Sequence, residues 1–237
     1  MSRVIAVFGA GTGLGASVAR RFGREGFRVA LVARRRERLE SLVQALSAEG
    51  IVAAGFTADL SHPTEAAGLI ESIRENFGRI DVIEYGPFST AQNLIPATQT
   101  DAARLEKSLP MMLLTPVEIV RAALPEWRKR GDGAFLLTTG TTAVHPQPGL
   151  SGESPLGAAA RNYVHSLHGE LAEAGIYVGT LSVGASIDRS ELNALMRGGA
   201  SQNSPAQFPV VDPDELAEQY WSMYTRRDRI EQIYPEP

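Results

Sequence analysis

The chain has 237 residues, a net charge of −4 at pH 7, 43% hydrophobic residues and no cysteine. That length suits one α/β domain with a sizeable core, while the mild acidity speaks against a nucleic-acid surface and the missing cysteines exclude disulfides, thiolate metal sites and a cysteine nucleophile. The histidines are scattered without metal-ligand spacing, no apolar run is long enough for a bilayer and the first residues enter a strand without a basic leader, so no metal, no membrane and a cytoplasmic protein are expected.

The run Val4-Ile5-Ala6-Val7-Phe8 is apolar and rich in β-branched residues, as in a strand buried on both faces. It empties into glycines at Gly9, Gly11, Gly13 and Gly15, and helical spacing begins at Leu14. Glycine lets a backbone turn sharply and approach a ligand, and the orphan N–H groups of a helix start attract phosphate. The segment Gly9-x-x-x-Gly13-x-Gly15, with Gly11, Thr12 and Leu14, is therefore predicted to hold a dinucleotide pyrophosphate, although its spacing is not G-x-G-x-x-G. A turn that only packs helix on strand is the alternative, and the second strand that follows favours the nucleotide.

A helix over 14–25 is closed by Gly26, a strand covers 27–33, and a charged helix over 37–48 buries Leu39, Leu42, Val43 and Leu46. Next come a strand at 51–57, a helix at 63–77 and a strand at 80–84. Residues 100–130 read as a helix kinked by Pro110, Pro116 and Pro125. After a strand at 134–138, Ser154 as N-cap and Pro155 at the first helical position open a helix to about 173, and a strand covers 177–183. Residues 184–211 are rich in Gly, Ser, Asn and Pro, which suits a mobile lid, with one apolar patch at 192–196. Asp212-Pro213 opens a last helix to about 226, and 231–234 adds an edge strand. The alternation predicts a single doubly wound (Rossmann) α/β domain over 1–237, its parallel sheet of six to seven strands covered by helices on both faces. Ligands of such folds bind at the C-terminal strand ends.

Here the chain resembles the short-chain dehydrogenase/reductase superfamily over nearly its whole length. The resemblance rests on Phe8-Gly9-x-x-x-Gly13-x-Gly15 for T-G-x-x-x-G-x-G, on Asp59-Leu60 after the third strand, and on Phe77-Gly78-Arg79-Ile80-Asp81-Val82. It implies an NAD(P)-dependent oxidoreductase acting on a small carbonyl or alcohol, adenine contacts from Asp59 and Leu60, cofactor contacts near Gly86 and Gly184, and a homodimer or homotetramer. At the end of the second strand an acid would select NAD(H); this chain has Ala33 followed by Arg34-Arg35-Arg36, which predicts NADP(H), with Arg34 and then Arg35 on the 2′-phosphate.

The family's catalytic half has no counterpart in this sequence. Its Tyr-x-x-x-Lys positions fall on Glu153 and Gly157, its serine on Gly140 and its helix asparagine near Met112, while its Asn-Asn-Ala-Gly turn becomes Tyr85-Gly86-Pro87-Phe88. Replacement candidates are Tyr85, expected at a strand end facing the nicotinamide pocket, Thr139, Thr141 and Glu153, expected to lack an apolar shield. For Tyr85 a packing role and for the threonines a turn role is the plainer expectation, and Glu153 is expected to act at most as a base. A non-catalytic NADP(H)-binding sensor or partner protein on the same fold is the alternative to an enzyme with an altered acid/base set.

Overall fold

The computed structural model describes residues 2–88, 95–197 and 208–236. Seven strands, β1 (Val4–Phe8), β2 (Arg28–Ala33), β3 (Ala53–Thr57), β4 (Val82–Tyr85), β5 (Gly133–Gly140), β6 (Ile176–Val183) and β9 (Glu231–Tyr234), pair in the order β3-β2-β1-β4-β5-β6-β9. Every pairing is parallel, so all seven C-terminal ends open on one edge. The order reverses between β1 and β4, where a doubly wound sheet leaves its ligand crevice. A separate parallel pair joins β7 (Ser186–Ile187) to β8 (Val210–Val211).

One face is covered by α1 (Leu14–Arg24), α2 (Arg36–Ala48) and α8 (Pro213–Arg226), whose apolar stripes enclose Ile5, Val7, Leu31 and Leu136. The other is covered by α3 (Ala66–Phe77), α5 (Thr115–Arg130) and α6 (Ser154–Leu171), which enclose Phe8, Ile83, Phe135 and Val178. Burial on both faces explains why the strands read as continuous apolar runs. Asp81 ties the layers at the opposite edge: it is buried, accepts from the Val4 amide at 2.8 Å, and pairs with Arg79 and Arg130.

Two expectations are corrected. The kinked segment is α4 (Ala102–Leu109), a π turn over Pro110–Leu114 and then α5, so the break is a change of helical register at a proline that has no N–H to give. The cap of α6 is Glu153, not Ser154; Ser154 is already helical and its hydroxyl lies 2.7 Å from that of Thr142. The expected lid contains β7, α7 (Glu191–Arg197) and β8, and its Asn193 is buried. Residues 198–207 of that lid, and the side chains of Leu195 and Met196, lie outside the described residues.

Candidate active site

The glycine turn is built between β1, β2 and β4. The Gly9 and Ala10 amides both donate to the Val32 carbonyl at 2.9 Å, and the Gly86 amide donates to the Phe8 carbonyl at 3.0 Å. Gly9 has φ +89°, and a Cβ there would stand 2.6 Å from the Pro87 Cα, so only glycine fits. Gly13 caps α1 without a side-chain hydrogen bond, the Ala16 amide reaches back to Gly11 at 3.0 Å, and Leu14 is buried beneath. Gly11 thus takes the Ala16 amide, and the first turn of α1 has no capping side chain, which leaves the Leu14 and Gly15 N–H groups to an anion.

Past the end of β2, Arg34 is exposed, while Arg35 and Arg38 both pair with Glu191 of α7. Asp59 is exposed and accepts from the Ser61 amide at 3.0 Å and the Ser61 hydroxyl at 2.8 Å. The Ser61 amide bond above all holds the Asp59 carboxyl below its ordinary pKa, with Arg34 adding a smaller pull. Leu60 is buried in the α3–α5 core, and its carbonyl accepts from Thr115 at 2.7 Å.

Around the end of β5, Gly157 sits 3.5 Å, measured from where its Cβ would be, from the Ala143 methyl and 4.0 Å from Met112 Cε, so the three positions converge in an apolar contact. Thr141 lies against Gly184, whose amide donates to the Tyr234 carbonyl at 2.8 Å. Thr139 is buried with its hydroxyl 2.9 Å from that of Ser182, which donates to Glu231 at 2.9 Å; Arg161 grips that carboxylate at 2.5 and 2.7 Å.

Two expectations for this face fail on burial. Tyr85 does not face the crevice: it is 2% exposed, packed between the tilted rings of Phe8 and Phe135, and donates its hydroxyl to the Met111 carbonyl at 2.5 Å. Its place follows from alternation, since Tyr85 points to the α5–α6 side of β4. Burial pushes its pKa well above the usual phenol value, so the hydroxyl stays protonated, and it is committed to Met111 inside the core, away from the crevice. Glu153 is shielded after all, being 7% exposed, with Arg104 Nη1 of α4 3.6 Å away. The Arg104 Nε has no hydrogen-bond partner among the described residues.

Two further groups had no signal in motif spacing. Arg104 stands far from Glu153 in the chain and reads as a surface residue of an amphipathic helix. Glu84 is an acid inside an apolar strand, and that mismatch was its visible signal. It is 1% exposed on the α1–α8 side of the sheet. Thr138 Oγ1 donates to it at 2.9 Å and lies 2.5 Å from the Tyr220 hydroxyl. Burial raises the Glu84 pKa to about 8, against a smaller opposite pull from Thr138. Among the described residues no His, Asp and Glu cluster suits a metal ion, and no helix is long and apolar enough to cross a membrane.

A family model described as short chain dehydrogenase matches residues 3–193. Among curated relatives, dehydrogenase/reductase SDR family member 4 of Sus scrofa is 27% identical over 187 residues, covering 77% of this chain and 65% of that one. Across the first five such relatives the chain spans between 17% and 66% of their length. Among solved structures, an actinorhodin polyketide ketoreductase with NADPH superposes with a TM-score of 0.84 at 21% identity, covering 98% of this chain and 95% of that one. A short chain oxidoreductase of Pseudomonas aeruginosa described as containing an atypical catalytic center superposes with a TM-score of 0.83 at 20% identity, covering 98% and 94%.

Proposed function

The chain belongs to the short chain dehydrogenase family, and from that membership we propose that it binds NADP(H) in the crevice at the C-terminal strand ends and transfers hydride to or from a carbonyl or alcohol substrate with an altered acid/base set. The observation that carries the cofactor reading is the Gly9–Gly15 turn. It is a cradle whose Gly9 position a Cβ would fill, it leads into a start of α1 that no side chain caps, and exposed Arg34 follows β2, whose Val32 carbonyl holds the turn. Arg34 is the cation offered to a 2′-phosphate, because β2 ends in Ala33 rather than an acid and a guanidinium fork matches phosphate oxygens. The NADPH-bound neighbour on the same fold supports this reading.

When bound, the dinucleotide supplies the hydride. The chain's own contribution is positioning and charge, and the proton that a carbonyl oxygen gains, or an alcohol loses, is exchanged with water. The Thr141 hydroxyl, beside Gly184 and with no hydrogen bond among the described residues, is offered to a substrate oxygen. Arg104, with its unsatisfied Nε, and buried Glu153 provide a fixed cation and anion near the start of α6. Tyr85 and Thr139 are left out, the first by burial and the second by its bond to Ser182. We further propose that residues 184–211 act as a lid over the crevice and that the chain assembles as a homodimer or homotetramer, which sedimentation of the purified protein would decide.

A second reading, NADP(H) binding without turnover, is favoured by the apolar meeting of Gly157, Ala143 and Met112 where the family keeps its lysine and asparagine. A screen of aldehydes and ketones, following loss of NADPH absorbance, separates the two. Turnover that falls about tenfold or more in Thr141→Val and Arg104→Met supports the enzyme. Tight NADPH binding with no turnover on any carbonyl supports the sensor.

A further inference from the structure

The glycine turn is already touched by another part of the chain. Thr12 Oγ1 donates to the Arg189 carbonyl at 2.7 Å, and a Cβ on Gly13 would stand 3.1 Å from Ser190 Cβ and 3.2 Å from its N and Cα. One residue on, the Glu191 carboxylate pairs with both Arg35 and Arg38. The segment is braced in this shape. Buried Asn193 donates to Asp188 at 2.9 Å and accepts from Ser186 at 3.1 Å, while Arg189 pairs with Asp212 at 2.5 Å and Asp214 at 3.0 Å. Asp188–Glu191 therefore runs along the cradle from the start of α1 to the arginines after β2.

We propose that Glu191 is a cofactor-specificity residue: its carboxylate stands in for the 2′-phosphate on Arg35 and Arg38 and competes with it. The proposal rests on the NADP(H) reading of the crevice. The physical case is one of charge and reach. Two guanidinium groups at the start of α2, near the positive end of a helix dipole, need an anion, and among the described residues Glu191 is the one they find. A phosphate monoester carries more charge and three acceptor oxygens, so it displaces a single carboxylate from a cation pair. NADH has no group to place there and leaves Glu191 in position. Glu191 thus taxes NADPH binding and narrows the preference that Arg34 creates.

The test is a titration of cofactor-free wild type and Glu191→Gln with NADPH and NADH, following nicotinamide fluorescence. Glu191 and both arginines are partly exposed, so the fold should survive the change, and a thermal melt of each protein checks it. The expected result is a Kd for NADPH about three- to tenfold lower in Glu191→Gln, the range for one partly exposed double ion pair, with the NADH Kd changed by less than about twofold. Unchanged or weaker NADPH binding in the variant overturns the proposal, and so does an equal gain for both cofactors, which would mean that Glu191 acts by closing the segment and not by competing. If neither protein binds either dinucleotide, the NADP(H) reading itself has failed, a result distinct from the other two.

Discussion

Replacing Gly9 by alanine would set a methyl group 2.6 Å from the Pro87 Cα and hold an L-residue at φ +89°. Both costs fall on backbone that cannot step aside, so Gly9→Ala is expected to destabilise the fold by about 1–3 kcal/mol and to abolish dinucleotide binding, as read by chemical denaturation and by titration. Glu84 is a constraint of another kind. Its folded pKa of about 8 lies above the ordinary carboxyl value of 4.5, because burial penalises its charge. The native state therefore holds this proton more tightly than the unfolded chain does. The stability so gained is complete below about pH 4.5 and is lost as pH rises through 8. Glu84→Gln removes that loss. It is expected to melt higher than wild type at pH 8 and to show a flatter melting temperature between pH 5 and 9; a variant that tracks wild type over that range would contradict the assignment. At Tyr85 the expectation is modest: Tyr85→Phe loses the bond to Met111, at a cost of about 1 kcal/mol, and leaves cofactor affinity unchanged.

At the level of elements, most of the sheet was readable because strands buried on both faces are mostly apolar, as in Val4–Phe8 and residues 134–138. What failed were matters that local pattern does not encode. Ser154-Pro155 is a good cap signal, yet the chain starts α6 with Glu153 as cap, because Arg104 is there to pair with that carboxylate and Thr142 takes up the Ser154 hydroxyl. The π turn at Pro110–Leu114 was visible only as a proline in a helical stretch. Tyr85 was misplaced by reading a strand end as a site, where its parity on β4 sends the ring into the core. The edge strand β9, short and polar, is secured by contacts no pattern reveals: Glu231 is gripped by Arg161 and Ser182, which hold its carboxyl below the usual range although burial alone would raise it. Arg161→Met should therefore loosen β9 first. Faster hydrogen exchange at the Thr180 and Gly184 amides, which bond to the Ile230 and Tyr234 carbonyls, with unchanged exchange in β1, is the expected signature.

Across the whole molecule, the two halves of the crevice differ in how far the sequence foretold them. On the side of β1, β2 and β3 the glycines, Arg34 and Asp59 all stand at the C-terminal strand edge, because a parallel sheet puts every βα turn there. On the opposite side the pieces come from α4, the π turn, β5 and α6, and their meeting is a tertiary fact. The central claim is that this crevice takes NADP(H) through the glycine turn and Arg34, and the most direct measurement is a calorimetric titration of cofactor-free wild type and Arg34→Ala with NADPH and with NADH. The account predicts a micromolar or tighter NADPH complex, NADH at least about tenfold weaker, and a preference that shrinks about tenfold or more in Arg34→Ala. No heat from either cofactor, or a preference for NADH that Arg34→Ala leaves untouched, would contradict it.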